Sequence, residues 1–516
     1  MSAPALPAFT ASLVSGERIL DASALSGRIA RAASGFAALG LERGDCAALL
    51  LRNDFPFIEA SLAAVSLGAY SVPINWHFKS DEAGYVLRDC GAKILVVHAD
   101  LLAGVADAIS SSVHVLIVGT PPEIASAYGA APGGAPVGTA EWETWLAAQQ
   151  PWQGAPQPQT SSMIYTSGTT GHPKGVRRLP YTPEHEARLG PYRARVYGVT
   201  PGVRTLLPGP LYHSAPNSFA LRAARQASLM VLMPRFDPED FLALVEKHRI
   251  EAVFMVPTMF VRLMKLPPEV RKRYDLSSLR FVMHEAAPCP PEVKREIIQW
   301  FGPVVHEFYG STEAGAVTVV DSKEWLERPG TVGRPVDGAS VRIYDDEERM
   351  LEPNQVGEVY TRLDVLPDFT YHGLEDKRSE IDRDDHITSG DIGYLDEAGY
   401  LFLCDRKRDM VISGGVNIYP AEIEAVLINC PGVKDCAVFG IPDAEYGEQL
   451  MAVIEPQSGI APPGDTEVRA YLGQHLAGYK IPKRIELRSD LPREDSGKIF
   501  KRRLRDPYWA NMERAI

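Results

Sequence analysis

Strand-length apolar runs alternate with amphipathic helical stretches along the first 120 or so residues: 25–39 reads as helix, 46–51 as strand, 57–67 as helix and 94–97 as strand. Parallel strands need a long crossover between them and usually obtain it from a helix, so this alternation constrains the chain to a parallel α/β sheet. A second set follows, with apolar runs at 229–233 and 252–256 and helical patterns at 238–247 and 291–300. Between the two sets, 129–159 is rich in Gly, Ala, Pro and Gln and reads as a long surface connection. From Gly330 the texture becomes short strand-like runs, 340–344 and 357–361, separated by acidic turns, which suggests a β-rich lobe. From Asp409 on, strands (435–439, 450–454) and helices (421–429, 467–476) mix as a small separate α+β domain. The expected fold class is α/β and multi-domain: a large N-terminal domain of two α/β subdomains plus a β-rich lobe, then a small α+β C-terminal domain. A length of 516 residues agrees with about three lobes at roughly 100–200 residues each.

Composition narrows the function. A net charge of -13 argues against a general nucleic-acid or anionic-membrane surface and favours work on small molecules. Cys46, Cys90, Cys289, Cys404, Cys430 and Cys436 are scattered, with no CxxC and no histidine at zinc-ligand spacing, as expected of thiols in a cytoplasmic protein. The start MSAPALPAFTASL has no basic region followed by an apolar one, and the longest aliphatic runs are of strand length, so neither export nor a membrane span is expected.

The most informative segment is Tyr165-Thr166-Ser167-Gly168-Thr169-Thr170-Gly171-His172-Pro173-Lys174-Gly175, after the apolar Met163-Ile164. Gly, Ser and Thr after a strand leave backbone N–H groups and hydroxyls free to converge on an anion, and a lysine adds charge, which makes a phosphate cradle. It is not a Walker A loop, because Lys174 is followed by Gly175 rather than Ser or Thr. A second segment, Tyr309-Gly310-Ser311-Thr312-Glu313, offers a carboxylate beside two hydroxyls, a seat for a hard cation that bridges phosphate oxygens.

A third runs from Ser389-Gly390-Asp391 to Asp405-Arg406-Lys407-Arg408-Asp409 and Ser413-Gly414-Gly415. Asp391 could accept from a ribose diol and Arg406 donate to the same sugar, the two joined by one antiparallel hairpin turning near 397–399. The charged strip 405–409 then separates the β-rich lobe from the last domain and suits a hinge, although such a strip is commonly only a solvated linker. The fourth segment, Pro492-Arg493-Glu494-Asp495-Ser496-Gly497-Lys498, puts one lysine on a polar loop.

Together, YTSGTTGHPKG, YGSTE, GDIGYL, DRKRDMVISGGVNIYPAEIE, GIPDAEYGE and PREDSGKIFKR resemble, in order and spacing, the adenylate-forming enzymes, which include acyl- and aryl-CoA synthetases and peptide-synthetase adenylation domains. The resemblance implies a two-step reaction. A carboxylate attacks the α-phosphate of ATP to give acyl-AMP and pyrophosphate, and a thiol, usually that of coenzyme A, then displaces AMP. It also implies roles. Thr166, Ser167, Gly168, Thr169, Thr170, Gly171 and Lys174 would hold the phosphates, Glu313 would bind Mg²⁺, and Thr312 would touch the α-phosphate. Tyr309, Gly310, Ala286, Ala287 and Pro288 would border the adenine, while Asp391 and Arg406 would bind the ribose. Lys498 would bridge carboxylate and α-phosphate oxygens during adenylation, a charge pair worth roughly 4 kcal/mol at about 4 Å and an effective dielectric near 20.

By the same resemblance the domain boundaries fall at 1–405, a hinge at 406–408 centred on Arg408, and 409–516, with the small domain mobile between half-reactions. Ser413, Gly414 and Gly415 would admit coenzyme A, and His213 would guard the thiol path beside the acyl pocket. Two residues depart from the family pattern: Arg408, where relatives carry an acid or a lysine, and Glu285, where glycine is usual, which either narrows the acyl pocket or turns to solvent. With no basic residue dedicated to a second carboxylate, a monocarboxylate with an apolar body is expected: medium- or long-chain, alicyclic or aryl. A homodimer is left open. The rival expectations are an adenylation enzyme that loads a carrier-protein thiol, and a non-enzymatic nucleotide-binding relative.

Overall fold

The computed structural model describes residues 9–130, 133–134, 139–155, 157–166, 173–407, 409–413, 416–493 and 499–510. The first α/β unit is a four-stranded parallel sheet in the order Tyr70–Pro73, Cys46–Leu50, Ile94–His98, His114–Val118. Its central strands are buried along their whole length, as continuous apolar runs require when both faces are covered. Helix Phe55–Ser66 starts at Asp54, whose carboxylate accepts from the Phe55 N–H, and every residue from Phe55 to Val65 is buried. Its run of small side chains lets it pack between helix Ala22–Ala38 and helix Ser214–Gln226.

The second sheet has 14 strands among the described residues. Its parallel part runs Ser12–Ser15, Leu229–Leu232, Arg204–Leu207, Ala252–Met255, Phe281–His284, Val305–Ser311. Val305–Ser311 is parallel to Phe281–His284 on one side and antiparallel to Gly315–Val320 on the other, so the sheet changes character at this strand. From there it continues antiparallel through Thr331–Pro335, Leu401–Arg406, His386–Leu395, Gly357–Leu363 and Ala339–Tyr344. The β-rich lobe expected from the sequence is therefore an extension of the second α/β sheet rather than a unit with its own edges, because Thr331–Pro335 pairs on both sides.

The connection at 129–159 also differs from expectation. It contains helix Trp142–Ala147, and Trp142 is fully buried, its indole N–H donating to Glu59 Oε2 at 3.0 Å. Trp142 and Trp145 both pack against Phe36, at 6.2 and 5.7 Å between ring centroids. Two tryptophans bury enough apolar area to outweigh the loop-like composition around them.

After Arg406 the chain forms a five-stranded sheet of its own: Val416–Ile418, Val411–Ser413, Gly447–Pro456 and Val433–Asp443 in order, with Arg484–Leu487 beside Gly447–Pro456. Helices Pro420–Leu427 and Asp465–His475 cover it around a core that includes Val411, Ile423, Val438, Ala452 and Leu472. Among the described residues, polar contacts that tie it to the rest include the Ala421 N–H donating to Asp405 Oδ2 at 2.9 Å and Lys265 Nζ donating to the Lys434 carbonyl at 3.1 Å. No helix among the described residues is long and apolar enough to cross a membrane.

Candidate active site

The turns at 208–213, 285–288 and 312–314 all follow the carboxyl ends of parallel strands of the second sheet, the edge where open α/β sheets place ligands. Strand Ile164–Thr166 pairs antiparallel with Lys174–Arg178, Thr166 opposite Lys174, so the glycine-rich string is the loop of a hairpin. Ser167, Gly168, Thr169, Thr170 and Gly171 lie outside the described residues. Both stems reach the Glu313 turn. Thr166 Oγ1 donates to Glu313 Oε1 at 3.4 Å, and the Arg178 guanidinium donates to the carbonyl oxygens of Thr312 (3.0 Å), Glu313 (2.7 Å) and Pro367 (3.0 Å). Lys174 places its ammonium 5.0 Å from the centroid of the Tyr371 ring, and the Tyr371 hydroxyl donates to Glu313 Oε1 at 3.1 Å. Burial and the Glu313 charge push the Tyr371 phenol well above its ordinary range, so it stays a donor.

The turn itself is built from small residues for a steric reason. A Cβ on Gly310 would lie 1.9 Å from the Gly315 carbonyl oxygen, at the point where the pairing of Val305–Ser311 with Gly315–Val320 slips register. Ser311 Oγ accepts from the Ala314 N–H at 2.9 Å and closes the turn.

At the other end of the site, Asp391 and Arg406 are register partners on the hairpin His386–Leu395/Leu401–Arg406, as the sequence suggested. Arg406 Nε stands 3.3 Å from Asp391 Oδ1, and the Tyr309 hydroxyl donates to Asp391 Oδ2 at 2.7 Å. Burial and the adjacent carboxylate push the Tyr309 phenol up. Strand Val305–Ser311 thus delivers the Glu313 turn at its end and the Tyr309–Asp391–Arg406 chain just before it.

Residues around 281–288 divide by alternation. The parallel register pairs Met283 with His306 and His284 with Glu307. Met283 and Phe308 share one face with Tyr197, Phe219 and Phe254, Phe308 lying 6.1 Å from Tyr197 between centroids. Glu285, just past the strand, is half-buried, and its carboxylate adds to the burial that pushes the Tyr197 phenol up to about 12. Glu285 therefore lies near Tyr197 of the aromatic cluster. The other face carries His284 and Glu307, followed on the second strand by Tyr309. Ala286 has φ +82°, a left-handed conformation that costs a non-glycine residue about 1–2 kcal/mol and clusters at functional sites. Ala287 and Pro288 complete the turn.

His213 caps helix Ser214–Gln226 and stacks obliquely on Tyr212 at 4.5 Å, and Tyr212 meets Trp76 edge-on at 4.6 Å. Ser413 ends strand Val411–Ser413, its register partners Val416 and Gly447. Gly414, Gly415, Arg408 and Lys498 lie outside the described residues. The stem of the Lys498 loop is described. Arg493 and Ile499 form a β-bridge, and the Arg493 guanidinium binds Asp435 at 2.7 Å and Glu455 at 2.8 Å. On the other side of Arg408, the Arg406 carbonyl accepts from the N–H groups of Asp409 (2.9 Å) and Met410 (3.0 Å).

Sequence reasoning missed Arg178 and Tyr371. Arg178 follows the motif by three residues, and its place two residues after Val176, on the same face of Lys174–Arg178, was a usable signal; Tyr371 is placed by strand pairing between Phe369–Tyr371 and Lys174–Arg178, which no local pattern reveals.

Comparison with known proteins agrees with this geometry. Residues 3–365 match the family model for AMP-binding enzymes, and 422–498 match that for the C-terminal domain of AMP-binding enzymes. The chain is 33% identical over 484 residues to the long-chain-fatty-acid–CoA ligase FadD13 of Mycobacterium tuberculosis, covering 93% of this chain and 92% of that one. It is also 33% identical over 499 residues to a feruloyl-CoA synthase of Amycolatopsis sp, covering 95% and 94%. Among solved structures, ATP-bound MatB from Rhodopseudomonas palustris superposes with a TM-score of 0.81 at 27% identity, covering 97% and 96%. The chain belongs to the AMP-binding enzymes, in the acyl-CoA synthetase branch of the adenylate-forming superfamily.

Proposed function

We propose that this protein is an AMP-forming acid–CoA ligase: a carboxylate and ATP give acyl-AMP and pyrophosphate, and coenzyme A then displaces AMP to give the thioester. The observation that carries the reading is the pair of anchors on one strand: Tyr309–Asp391–Arg406 suits a nucleoside, and Thr166, Lys174 and Glu313 suit its phosphates.

In the first step a substrate carboxylate oxygen attacks the α-phosphorus and pyrophosphate leaves. Lys174 and the loop it follows neutralise the leaving group. Thr312 donates to the α-phosphate, and Lys498 meets charge that grows as the new P–O bond forms, which raises the rate rather than merely tightening binding. The Glu313 carboxylate, joined by the hydroxyl oxygens of Thr166 and Tyr371, is an all-oxygen donor set that fits Mg²⁺, an ion that takes one or two carboxylates and completes its shell with phosphates and water. When bound, Mg²⁺ neutralises phosphate charge. In the second step the thiol sulfur attacks the acyl carbon and AMP leaves with the bonding pair. His213 borders that path, and Ser413, Gly414 and Gly415 replace Lys498 at the site as 409–516 turns about Arg408 relative to 1–405.

The acid is expected to be a monocarboxylate with an apolar body, because no basic residue dedicated to a second carboxylate stands out in the sequence. Relatives named for fatty and feruloyl acids support that class. Six thiols with no disulfide among them support work in the cytoplasm. The test is pyrophosphate release with ATP and Mg²⁺ across fatty, alicyclic and aryl acids, with and without coenzyme A. Multiple turnovers that need coenzyme A are expected. A single stoichiometric burst indifferent to coenzyme A would replace this reading with carrier-protein loading.

A further inference from the structure

We propose that Lys294 and Glu307 are positioning residues for the nucleotide: a buried ion pair that fixes the backbone of 285–288 and 309–313 from behind. The inference rests on the reading of the site as an ATP site.

Lys294, Glu307 and His284 are 1%, 6% and 0% exposed. Lys294, on helix Pro291–Phe301, bonds the Glu307 carboxylate and lies 4.7 Å from the centroid of the Trp325 ring. His284 Nε2 is 3.6 Å from the same Glu307 oxygen, beyond hydrogen-bond length, and neither ring nitrogen of His284 has a hydrogen-bond partner among the described residues. The imidazole packs edge-on against Phe260 at 5.2 Å, and its burial, reinforced by the Lys294 charge, holds it neutral. A buried pair of this kind is weak evidence for stability, since apolar residues of the same shape commonly serve as well or better. A histidine left with unsatisfied nitrogens beside it adds cost.

What the pair does supply is geometry. Glu307 is the register partner of His284; Tyr309 lies two residues further along its strand, and the left-handed Ala286 two residues beyond His284 in the loop. Loop 285–290 leaves strand Phe281–His284 beside Glu307 and returns through helix Pro291–Phe301, whose Lys294 reaches back to the same carboxylate. Glu307 therefore ties both ends of the loop to the strand that bears Tyr309, the His284 end by strand pairing and the Lys294 end through its carboxylate.

The test compares the parent protein with the double variant Lys294→Met/Glu307→Leu, which keeps volume and removes both charges. Calorimetric titration with ATP gives Kd, pyrophosphate release gives KM for ATP and for the acid, and thermal unfolding checks the fold. The expected result is a folded double variant whose Kd and KM for ATP rise at least tenfold while KM for the acid stays within twofold. A folded double variant with parental ATP affinity overturns the proposal. Should the double variant fail to fold, Glu307→Gln removes only the charge: a threefold or greater rise in Kd for ATP is expected, and an unchanged Kd overturns the proposal. A parent protein that binds no ATP would instead sink the functional reading on which the proposal stands.

Discussion

Arg178 grips Glu313 by its main chain, not by its carboxylate: the guanidinium donates to the Glu313 carbonyl at 2.7 Å and to the Thr312 carbonyl at 3.0 Å. The carboxylate of Glu313 stays available to hydroxyls and to a ligand, while the turn is fixed from the hairpin that bears the phosphate-loop motif. Hydrogen bonds from a charged donor contribute about 1.5–3 kcal/mol each. Arg178→Ala is expected to lower kcat/KM for ATP at least tenfold. Arg178→Lys should recover only part of it, because Nη2 makes both of these bonds and one ammonium nitrogen could replace it, but not also the Nη1 bond to the Pro367 carbonyl at 3.0 Å. Steady-state pyrophosphate release at varied ATP decides, and parental kinetics in Arg178→Ala would show that the turn holds without the clamp.

Gly310 is required sterically. Gly310→Ala puts a Cβ 1.9 Å from a backbone oxygen that has no room to retreat, and ATP affinity is expected to fall a hundredfold or the protein to misfold. Gly27→Ala is the control: within helix Ala22–Ala38, its added Cβ meets nothing within 4 Å, and the exchange should stabilise by about 0.5–1 kcal/mol. Equal behaviour of the two variants in calorimetry would refute the steric account.

Lys498→Ala should slow adenylation by about a hundredfold or more, the usual effect of losing one transition-state donor. Transfer from preformed acyl-AMP to coenzyme A should survive. The half-reactions are measured separately, and loss of both would mean that Lys498 serves the second step or the fold as well.

His306 stacks on Phe281 at 4.1 Å, and burial, with nearby Arg195, lowers its pKa from 6.5 to about 4. Between those values the unfolded chain binds the proton and the folded one does not, so stability rises with pH across this window. The contribution is complete above pH 6.5 and is lost as pH falls toward 4, an effect of about 3 kcal/mol. His306→Phe should flatten denaturant midpoints between pH 6.5 and 4 relative to the parent; an unchanged acid slope would assign the loss to other groups.

Much of this was legible in the chain. Asp391 and Arg406 could be paired from hairpin length and turn residues alone, and the α/β alternation located strands 46–51, 94–97, 229–233 and 252–256 with helices 25–39, 57–67, 238–247 and 291–300, while strands such as Arg204–Leu207 and Phe281–His284 went unread. The failures share a cause. Helix Trp142–Ala147 sits in a Gly- and Pro-rich stretch, where two tryptophans override local composition through contacts with Phe36, more than a hundred residues back. Tyr371 reaches Glu313, and Lys294 reaches Glu307, through sheet and helix packing that leaves no periodic trace. Glu285 was visible as an odd residue, but its place near Tyr197 depended on the register of a neighbouring strand.

That register also bears on how the enzyme could be re-engineered. Met283 packs with the aromatic cluster, while its neighbour His284 points to the opposite face, beside Glu307. On the proposed reading of the site, a library built to change the accepted acid should diversify position 283 and leave 284 untouched, because one step along this short strand trades a selectivity screen for a search among variants with a disturbed nucleotide side.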